Sequence, residues 1–420
     1  MRRNFKPRAN SFESLFKWLY PGIGIKRWIG LSAFGVALVV FGSGFLRSED
    51  FWFFQALDAV ILISGIIILI LGIKQMMRSF IAAFLPASKD DSLVDLLYQR
   101  KQLGRGPRIV AIGGGTGLSV LLSGLKEYTS NITAIVTVAD DGGSSGRLRQ
   151  QFDILPPGDI RNCLVALSDV PTLMQDLFQF RFDTSSELSG HSFGNLFITA
   201  MTRVTGDFEK AIKETSKVLA LKGQVIPSTL EKVNLIAYHS DGTVTEGEEK
   251  IPKAHKPISK VMLRPEHPTA TADAIKAIKE AQLIVLGPGS LYTSIIPNLL
   301  IKEITQAIVD SGASKVYVCN AMTQPGETDQ FKVSEHIKVL IKHSDPKVFE
   351  YCIVANTKQI SESVLKRYTK EKAYPVTNDL KEVENMGYRV IEDDIVVADG
   401  VVRHDSAKLA KIILGLVEEI

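Results

Sequence analysis

Two glycine-rich segments carry the first chemical signal. Gly113-Gly114-Gly115-Thr116-Gly117 follows the apolar run Ile109–Ile112 and precedes leucines at helical spacing, Leu118, Leu121, Leu122 and Leu125. Glycines at a strand-to-helix junction let the backbone approach a ligand, and free N–H groups at the helix start then face an anion. A G-x-G-x-x-G dinucleotide fingerprint fails because Leu118 takes the place of the last glycine. A phosphate-binding P-loop fails too, since no Gly-Lys-Ser/Thr follows. The tubulin-type glycine loop does not sit after a first strand, as this run does. A tight turn without a ligand is the plain alternative. Gly287-Pro288-Gly289-Ser290-Leu291-Tyr292 is a second cradle of the same kind, closing the apolar run Leu283–Leu286. Tyr292 is expected either to stack on a base or sugar ring or to fill the core.

Acidic and polar groups follow the other strands. Asp140 and Asp141 stand before Gly142-Gly143-Ser144-Ser145-Gly146-Arg147, directly after Ile132–Val138. Paired acids there suit a sugar hydroxyl, or a Mg²⁺ whose other ligands are phosphate oxygens. In a group-transfer reaction one of them would hold the metal or take the proton of the acceptor hydroxyl. In Pro157-Gly158-Asp159-Ile160-Arg161-Asn162, Asp159 reads as a helix cap, and Arg161 and Asn162 as phosphate or base contacts. Gly190-His191-Ser192-Phe193-Gly194-Asn195 opens another helix, with Ser192 as cap, Asn195 as a ligand contact, and His191 as a base or a hydrogen-bonded surface group. Asn320, Met322 and Thr323 follow Lys315–Cys319 and would line the same edge. No Ser-His-Asp or Cys-His arrangement shows in the spacing, and the seven histidines are too dispersed for a metal motif.

The elements needed to position these residues spell α/β. Strand, glycine turn, helix and strand recur, which predicts a Rossmann-like doubly wound, mostly parallel sheet over residues 105–420. Asp241-Gly242 between Val233–His239 and Thr243–Val244 is a hairpin signal, so a small antiparallel insertion is expected at about 230–265. Ser334 is the expected cap of a helix bearing Ile337, Leu340 and Ile341.

The N-terminus differs. No residue from Trp28 to Phe45 is charged, and Phe51–Ile73 carries only Asp58. Each stretch is long enough for a hydrocarbon core of about 30 Å. The sequence therefore predicts a basic N-terminus (1–27), a two-helix transmembrane hairpin (28–73) turning at Leu46–Asp50, and a juxtamembrane linker (74–104). Arg2, Arg3, Lys6, Arg8, Lys17, Lys26 and Arg27 before it, and Lys74 and Arg78 after it, place both ends in the cytoplasm. Asp58 lies close enough to the outer headgroups to stay wet.

Composition sets limits. Of 420 residues 45% are hydrophobic and 23% charged, which excludes a disordered chain. Lys plus Arg (49) minus Asp plus Glu (46) gives +3, so no overall field draws the chain onto nucleic acid. Three separated cysteines exclude a disulfide framework and a cysteine zinc site. An oligomer is compatible with the sequence, and no particular state follows from it.

Six ordered motifs carry a resemblance: IVAI-GGGTG, VADDGGSSGRLR, LPPGDIRNCLVAL, GHSFGNLF, LGPGSLYTS and CNAMTQPGETD. Together they resemble the gluconeogenesis factor family (YvcK-type), which is related to 2-phospho-L-lactate transferase (CofD-like). The resemblance spans about 105–420. It implies a Rossmann-like fold and binding of UDP-sugars such as UDP-N-acetylglucosamine. It also implies a role in cell shape and wall synthesis on gluconeogenic carbon sources, with wall-synthesis or regulatory proteins as partners. On this resemblance Gly113–Gly117, Asp140 and Asp141 lie on the nucleotide edge, and Tyr292 matches the tyrosine associated with UDP-sugar contact. Binding would require no cofactor. A transferase acting with Mg²⁺ on a nucleoside-diphosphate-linked donor is the alternative. The hairpin departs from many relatives and implies a multi-pass protein of the cytoplasmic membrane.

Overall fold

The computed structural model describes residues 25–45, 52–84, 101–183 and 187–418. The chain forms two compact units, Met1–Leu96 and Leu97–Ile420.

Among the described residues, the first unit is a pair of helices, α1 (Ile25–Phe45) and α2 (Trp52–Phe84). Small residues let their backbones approach. A Cβ on Gly35 would stand 2.7 Å from the Leu69 nitrogen, and one on Gly65 would stand 2.8 Å from that of Val39. Gly72 meets Ser32 in the same way. This is how helices associate where hydrophobic burial gives no drive. Their outward faces are apolar, with Phe34, Val40, Ile63 and Ile70 exposed. One of the two, over Phe53–Ser79, is long and apolar enough to cross a membrane; the apolar part of the other, Arg27–Ser43, is shorter. Two such spans were expected. Lys26 and Arg27 trim the first at its start, and the turn Leu46–Asp50 lies outside the described residues. α2 also runs past Ile73 to Phe84, into the stretch expected as linker.

The second unit is built on parallel strands. In chain order its elements include β1 (Ile109–Gly113), α3 (Gly115–Leu125), β2 (Ile132–Val136), α4 (Gly143–Phe152), α5 (Gly158–Leu167), α6 (Phe193–Thr205) and β3 (Gln224–Pro227). The insertion follows as β4 (Asn234–His239), β5 (Val244–Glu246) and β6 (Ile258–Arg264). Then come β7 (Leu283–Leu286), β8 (Ser314–Val318), α7 (Val333–Lys342), β9 (Tyr351–Ala355), α8 (Glu362–Lys370) and β10 (Arg389–Asp393). A terminal pair, β11 (Val396–Asp399) and β12 (Val401–His404), precedes α9 (Ser406–Glu418).

The main sheet runs β10-β9-β8-β7-β1-β2-β3, all parallel. β1 pairs β2 from Ile109↔Ile132 and β7 from Ile109↔Leu283. These strands are buried on both faces and read as unbroken apolar runs for that reason. The four leucines of α3 lie fully in the core, each worth about 1.5–3 kcal/mol of burial. After β1 the chain builds outward through β2 and β3; after β7 it builds the other way. The switch of direction thus falls between β1 and β7, where open α/β sheets leave a crevice beyond the strand ends.

The insertion forms an antiparallel sheet, β5-β4-β6, turning at Gly242 with φ +83°. The β11–β12 hairpin was not expected. Its turn, Gly400, has φ +75°, and α9 packs onto α3 where a side chain at Gly124 would strike the Ser406 carbonyl. Two expected caps are different. Lys332, not Ser334, precedes α7, and Ser334 Oγ instead donates to Asp379 at 2.6 Å. Asp159 lies inside the first turn of α5, whose N-cap is Pro157.

Candidate functional site

The two glycine bends interlock at the switch point. β1 ends at Gly113, Gly115 turns into α3 with φ +66°, and Gly287 leaves β7 with φ +78°. A Cβ at Gly117 would lie 2.6 Å from the Pro288 oxygen, and one at Gly289 would lie 3.2 Å from the Gly114 oxygen. The first contact leaves no room for a side chain at Gly117, and the second is tight at Gly289. Asn298 Nδ2 ties the bends together by donating to the Gly113 oxygen at 3.1 Å. A cavity of about 810 Å³ opens beside them, within the usual range of small-molecule sites. Gly114, Gly115, Thr116, Gly117, Pro288, Gly289 and Ser290 line its floor.

Acids line one wall. Asp159 is reached from α5, Asp140 from the loop after β2, and Glu248 from the insertion. The Asp159 carboxylate accepts the Gly115 N–H; burial, then Asp140, push its pKa up to about 7. Burial raises Asp140 as well, against the pull of hydrogen bonds from the Gly142 N–H at 2.9 Å and from Ser145. Glu248 is pushed up to about 8 by burial and by the Asp140 and Asp159 charges. Glu327, behind Thr293, is held at about 7 by burial, and its Oε2 has no partner.

The expected pair of neighbouring acids is split. Asp141 turns out of the cavity and its Oδ1 accepts the Glu249 N–H at 3.0 Å, pinning the insertion to the sheet. The oxygen donors facing the cavity have the hardness Mg²⁺ prefers. Among the described residues, though, no three acidic, histidine or cysteine side chains converge as a metal cluster. A metal held by Asp140 and Asp159 would therefore draw its other ligands from phosphate oxygens or water.

Other expected residues divide between cavity and core. Asn162, Asn320 and Thr323 line the cavity. Asn320 also braces the second bend: its Nδ2 donates to the Gly289 oxygen at 2.8 Å and its Oδ1 takes the Gly289 N–H at 3.3 Å. Thr323 Oγ1 accepts from the Tyr374 N–H at 3.0 Å, and Ser290 Oγ accepts from Gln324 Nε2 at 2.6 Å. Gly113 and Gly287 shape the bends from behind. Arg161, Asn195 and Tyr292 are buried, at 5%, 1% and 1% exposure. The Tyr292 hydroxyl lies 3.4 Å from the Ile258 oxygen and its ring meets His343 edge-on. That ring fills the core and has no face open for stacking. The amides at the bends are also less free than expected, since Gly115 serves Asp159 and Gly289 serves Asn320.

Sequence reasoning missed the far wall. Tyr368 of α8 and Arg403 and His404 of β12 line it. Tyr368 accepts the Val402 N–H at 2.8 Å, tying α8 to the hairpin. Burial lowers His404 to about 4, so it is neutral near pH 7. Arg403 is the one cation among the lining residues. The signal that could have found it is Asp399-Gly400 between Ile395–Ala398 and Val401–Val402, a hairpin dipeptide of the same kind as Asp241-Gly242.

Comparison with known proteins agrees with this architecture. A family model described as 2-phospho-L-lactate transferase CofD matches residues 109–396. A protein of Bacillus subtilis (strain 168) named "Gluconeogenesis factor" is 49% identical over 318 residues, covering 76% of this chain and 100% of its own. A Nostoc sp. (strain PCC 7120) protein, whose name refers to the same factor, is 46% identical over 419 residues, or 95% of this chain and 92% of its own. The crystal structure of a upf0052 family member from Bacillus halodurans superposes with a TM-score of 0.71 at 48% identity, covering 74% of this chain and 99% of that one. The present chain belongs to the CofD family, and within it groups with the proteins named gluconeogenesis factor.

Proposed function

We propose that the protein binds a UDP-sugar, UDP-N-acetylglucosamine first among them, in the cavity at the β1/β7 switch point. There it acts as a regulator of cell shape and cell-wall synthesis during gluconeogenic growth. The observation that carries this reading is the interlocking of the two glycine bends, which brings both backbone approaches to one cavity of nucleotide-sugar size. Diphosphate would lie over Gly114–Gly117 and Gly289, with Arg403 opposing its charge. No cofactor is required for this binding. No activated nucleophile faces the cavity among the described residues, which suits a sensor.

The N-terminal helices would hold this sensor at the cytoplasmic membrane. The apolar outward faces of α1 and α2 favour a lipid setting, and the flanking Lys and Arg residues favour cytoplasmic ends. On this reading both helices cross as a hairpin, the first being short for the task. Wall-synthesis or regulatory proteins are the partners it would inform.

The test is calorimetric titration of UDP-N-acetylglucosamine into the full chain in detergent. Saturable heat is expected. No heat at millimolar ligand overturns the reading.

The acids favour a second reading. Asp140 and Asp159 beside a diphosphate resemble the needs of a phospholactate-type transferase, in which Mg²⁺ would neutralise phosphate charge. Supplying the protein with activated donor, deazaflavin acceptor and Mg²⁺ decides this. Absence of product under conditions where a CofD transferase turns over removes it.

A further inference from the structure

Arg161 is the buried end of a polar chain that the ligand reading alone does not use. Its Nη1 donates to Ser192 Oγ and, at 3.1 Å, to Asn195 Oδ1. Asn195 Nδ2 donates in turn to Ser144 Oγ at 3.1 Å, and that hydroxyl lies 2.9 Å from His191 Nδ1. The motif expected to contact ligand, Gly190–Asn195, is thus spent inside the protein.

The other end of the guanidinium points at the site. Arg161 Nη2 donates to Asn162 Oδ1 at 2.7 Å, and Asn162 is a half-buried residue on the cavity wall. A guanidinium has donors and no acceptor, so it selects the oxygen of an amide. With its oxygen taken, Asn162 has its two N–H donors left for another partner.

We propose that Asn162 meets the bound ligand as a hydrogen-bond donor, and that buried Arg161 is the positioning residue that fixes this polarity. The inference rests on the UDP-sugar reading and names the chemistry wanted at that point: an acceptor oxygen, from the diphosphate or from a carbonyl of base or sugar. Burial lowers Arg161 only to about 10, so the guanidinium stays charged near neutral pH.

The experiment titrates UDP and UDP-N-acetylglucosamine into full-length protein carrying Asn162→Asp, Asn162→Ala, Arg161→Lys, or Arg161→Lys with Asn162→Ala. Asn162→Asp keeps an acceptor for Arg161 and removes both donors. This variant and Asn162→Ala are expected to weaken binding about tenfold or more, the scale of one buried hydrogen bond. Melting temperature should stay nearly unchanged in Asn162→Asp and fall in Asn162→Ala, which leaves Arg161 Nη2 without its acceptor. A loss with both ligands places the acceptor on the nucleotide; a loss confined to UDP-N-acetylglucosamine places it on the sugar. Either supports the inference. Arg161→Lys should weaken binding in the Asn162 background and add little to Asn162→Ala, because it acts through that amide. Asn162 variants binding within twofold of wild type, or losses at 161 and 162 that simply add, overturn the inference and leave the UDP-sugar reading standing. Wild-type protein that binds neither ligand overturns both.

Discussion

The Gly115 N–H donates to the Asp159 carboxylate, and a Cβ on the neighbouring Gly114 would stand 2.5 Å from Asp159 Oδ2. An acid therefore occupies the underside of a glycine loop whose composition suggests an anion cradle. The loop is kept bare partly to admit this side chain. Ligand phosphate must approach from the cavity side, with the acid already seated below.

That arrangement makes stability depend on pH. The folded pKa of Asp159 is raised to about 7 from 3.8. The folded state thus holds a proton that the unfolded chain releases. Its stabilising effect is present below about pH 4, declines between about 4 and 7, and is absent above. Glu248, raised to about 8 from 4.5, acts in the same sense up to a higher pH. Ligand-free Asp159→Asn keeps an oxygen for the Gly115 N–H and loses the charge. Its melting temperature is expected to fall less than that of wild type between pH 5 and pH 8. Parallel curves for the two proteins would contradict the assignment.

The interlocked bends predict a steric failure at Gly117. Its Cβ would press on the Pro288 oxygen at 2.6 Å, and that oxygen belongs to backbone. Gly117→Val should destabilise the protein by about 1–3 kcal/mol through overpacking. It should also weaken UDP-sugar binding more than tenfold. Thermal melts and calorimetry measure the two effects separately. Unchanged affinity in a folded variant would show that the bends do not meet the ligand together.

The split of the adjacent acids predicts opposite phenotypes. Asp141→Ala frees the Glu249 N–H and should cost about 1 kcal/mol. Faster hydrogen exchange is expected over Val244–Lys253, with UDP-sugar affinity kept within about threefold. Asp140→Ala should leave exchange in the insertion unchanged and alter ligand affinity or its response to Mg²⁺. Matching exchange and binding profiles for the two variants would refute the division.

The elements legible in sequence were those set by local physics. The leucines of α3 announce a buried face, and Asp241-Gly242 announces a turn, because each signal needs only near neighbours. The order of apolar runs and glycine bends announced a doubly wound sheet, whereas the switch point between β1 and β7 is set by strand order, which needs contacts far apart in sequence. The contents of the site were harder to read. Glycine marks a close approach without naming what approaches: an acid at Gly114, a carbonyl at Gly117. Asp140 and Asp141 alternate sides of a loop whose path depends on the insertion. Tyr292 sits in a motif that suggests a ligand, yet core packing takes its ring. The β11–β12 hairpin brings Arg403 across the cavity from a stretch beyond the residues the family model matches.

Arg403 and Tyr292 give the sharpest contrast between exposed and buried candidates. Arg403 is an exposed residue on the cavity wall, and the acids lining that cavity are Asp140, Asp159, Glu248 and Glu371, of which Glu248 is mostly protonated near pH 7. A diphosphate entering among carboxylates needs this cation, and charge-assisted hydrogen bonds from a guanidinium are worth about 1.5–3 kcal/mol. Arg403→Ala should therefore weaken UDP-N-acetylglucosamine binding by about tenfold or more and reduce its dependence on salt, since the attraction being screened is gone. Tyr292→Phe removes only a hydroxyl 3.4 Å from the Ile258 oxygen and should leave affinity within twofold. Calorimetry at two salt concentrations separates these outcomes. Binding that survives Arg403→Ala but fails with Tyr292→Phe would move the ligand to the other side of the Leu291–Ile295 turn.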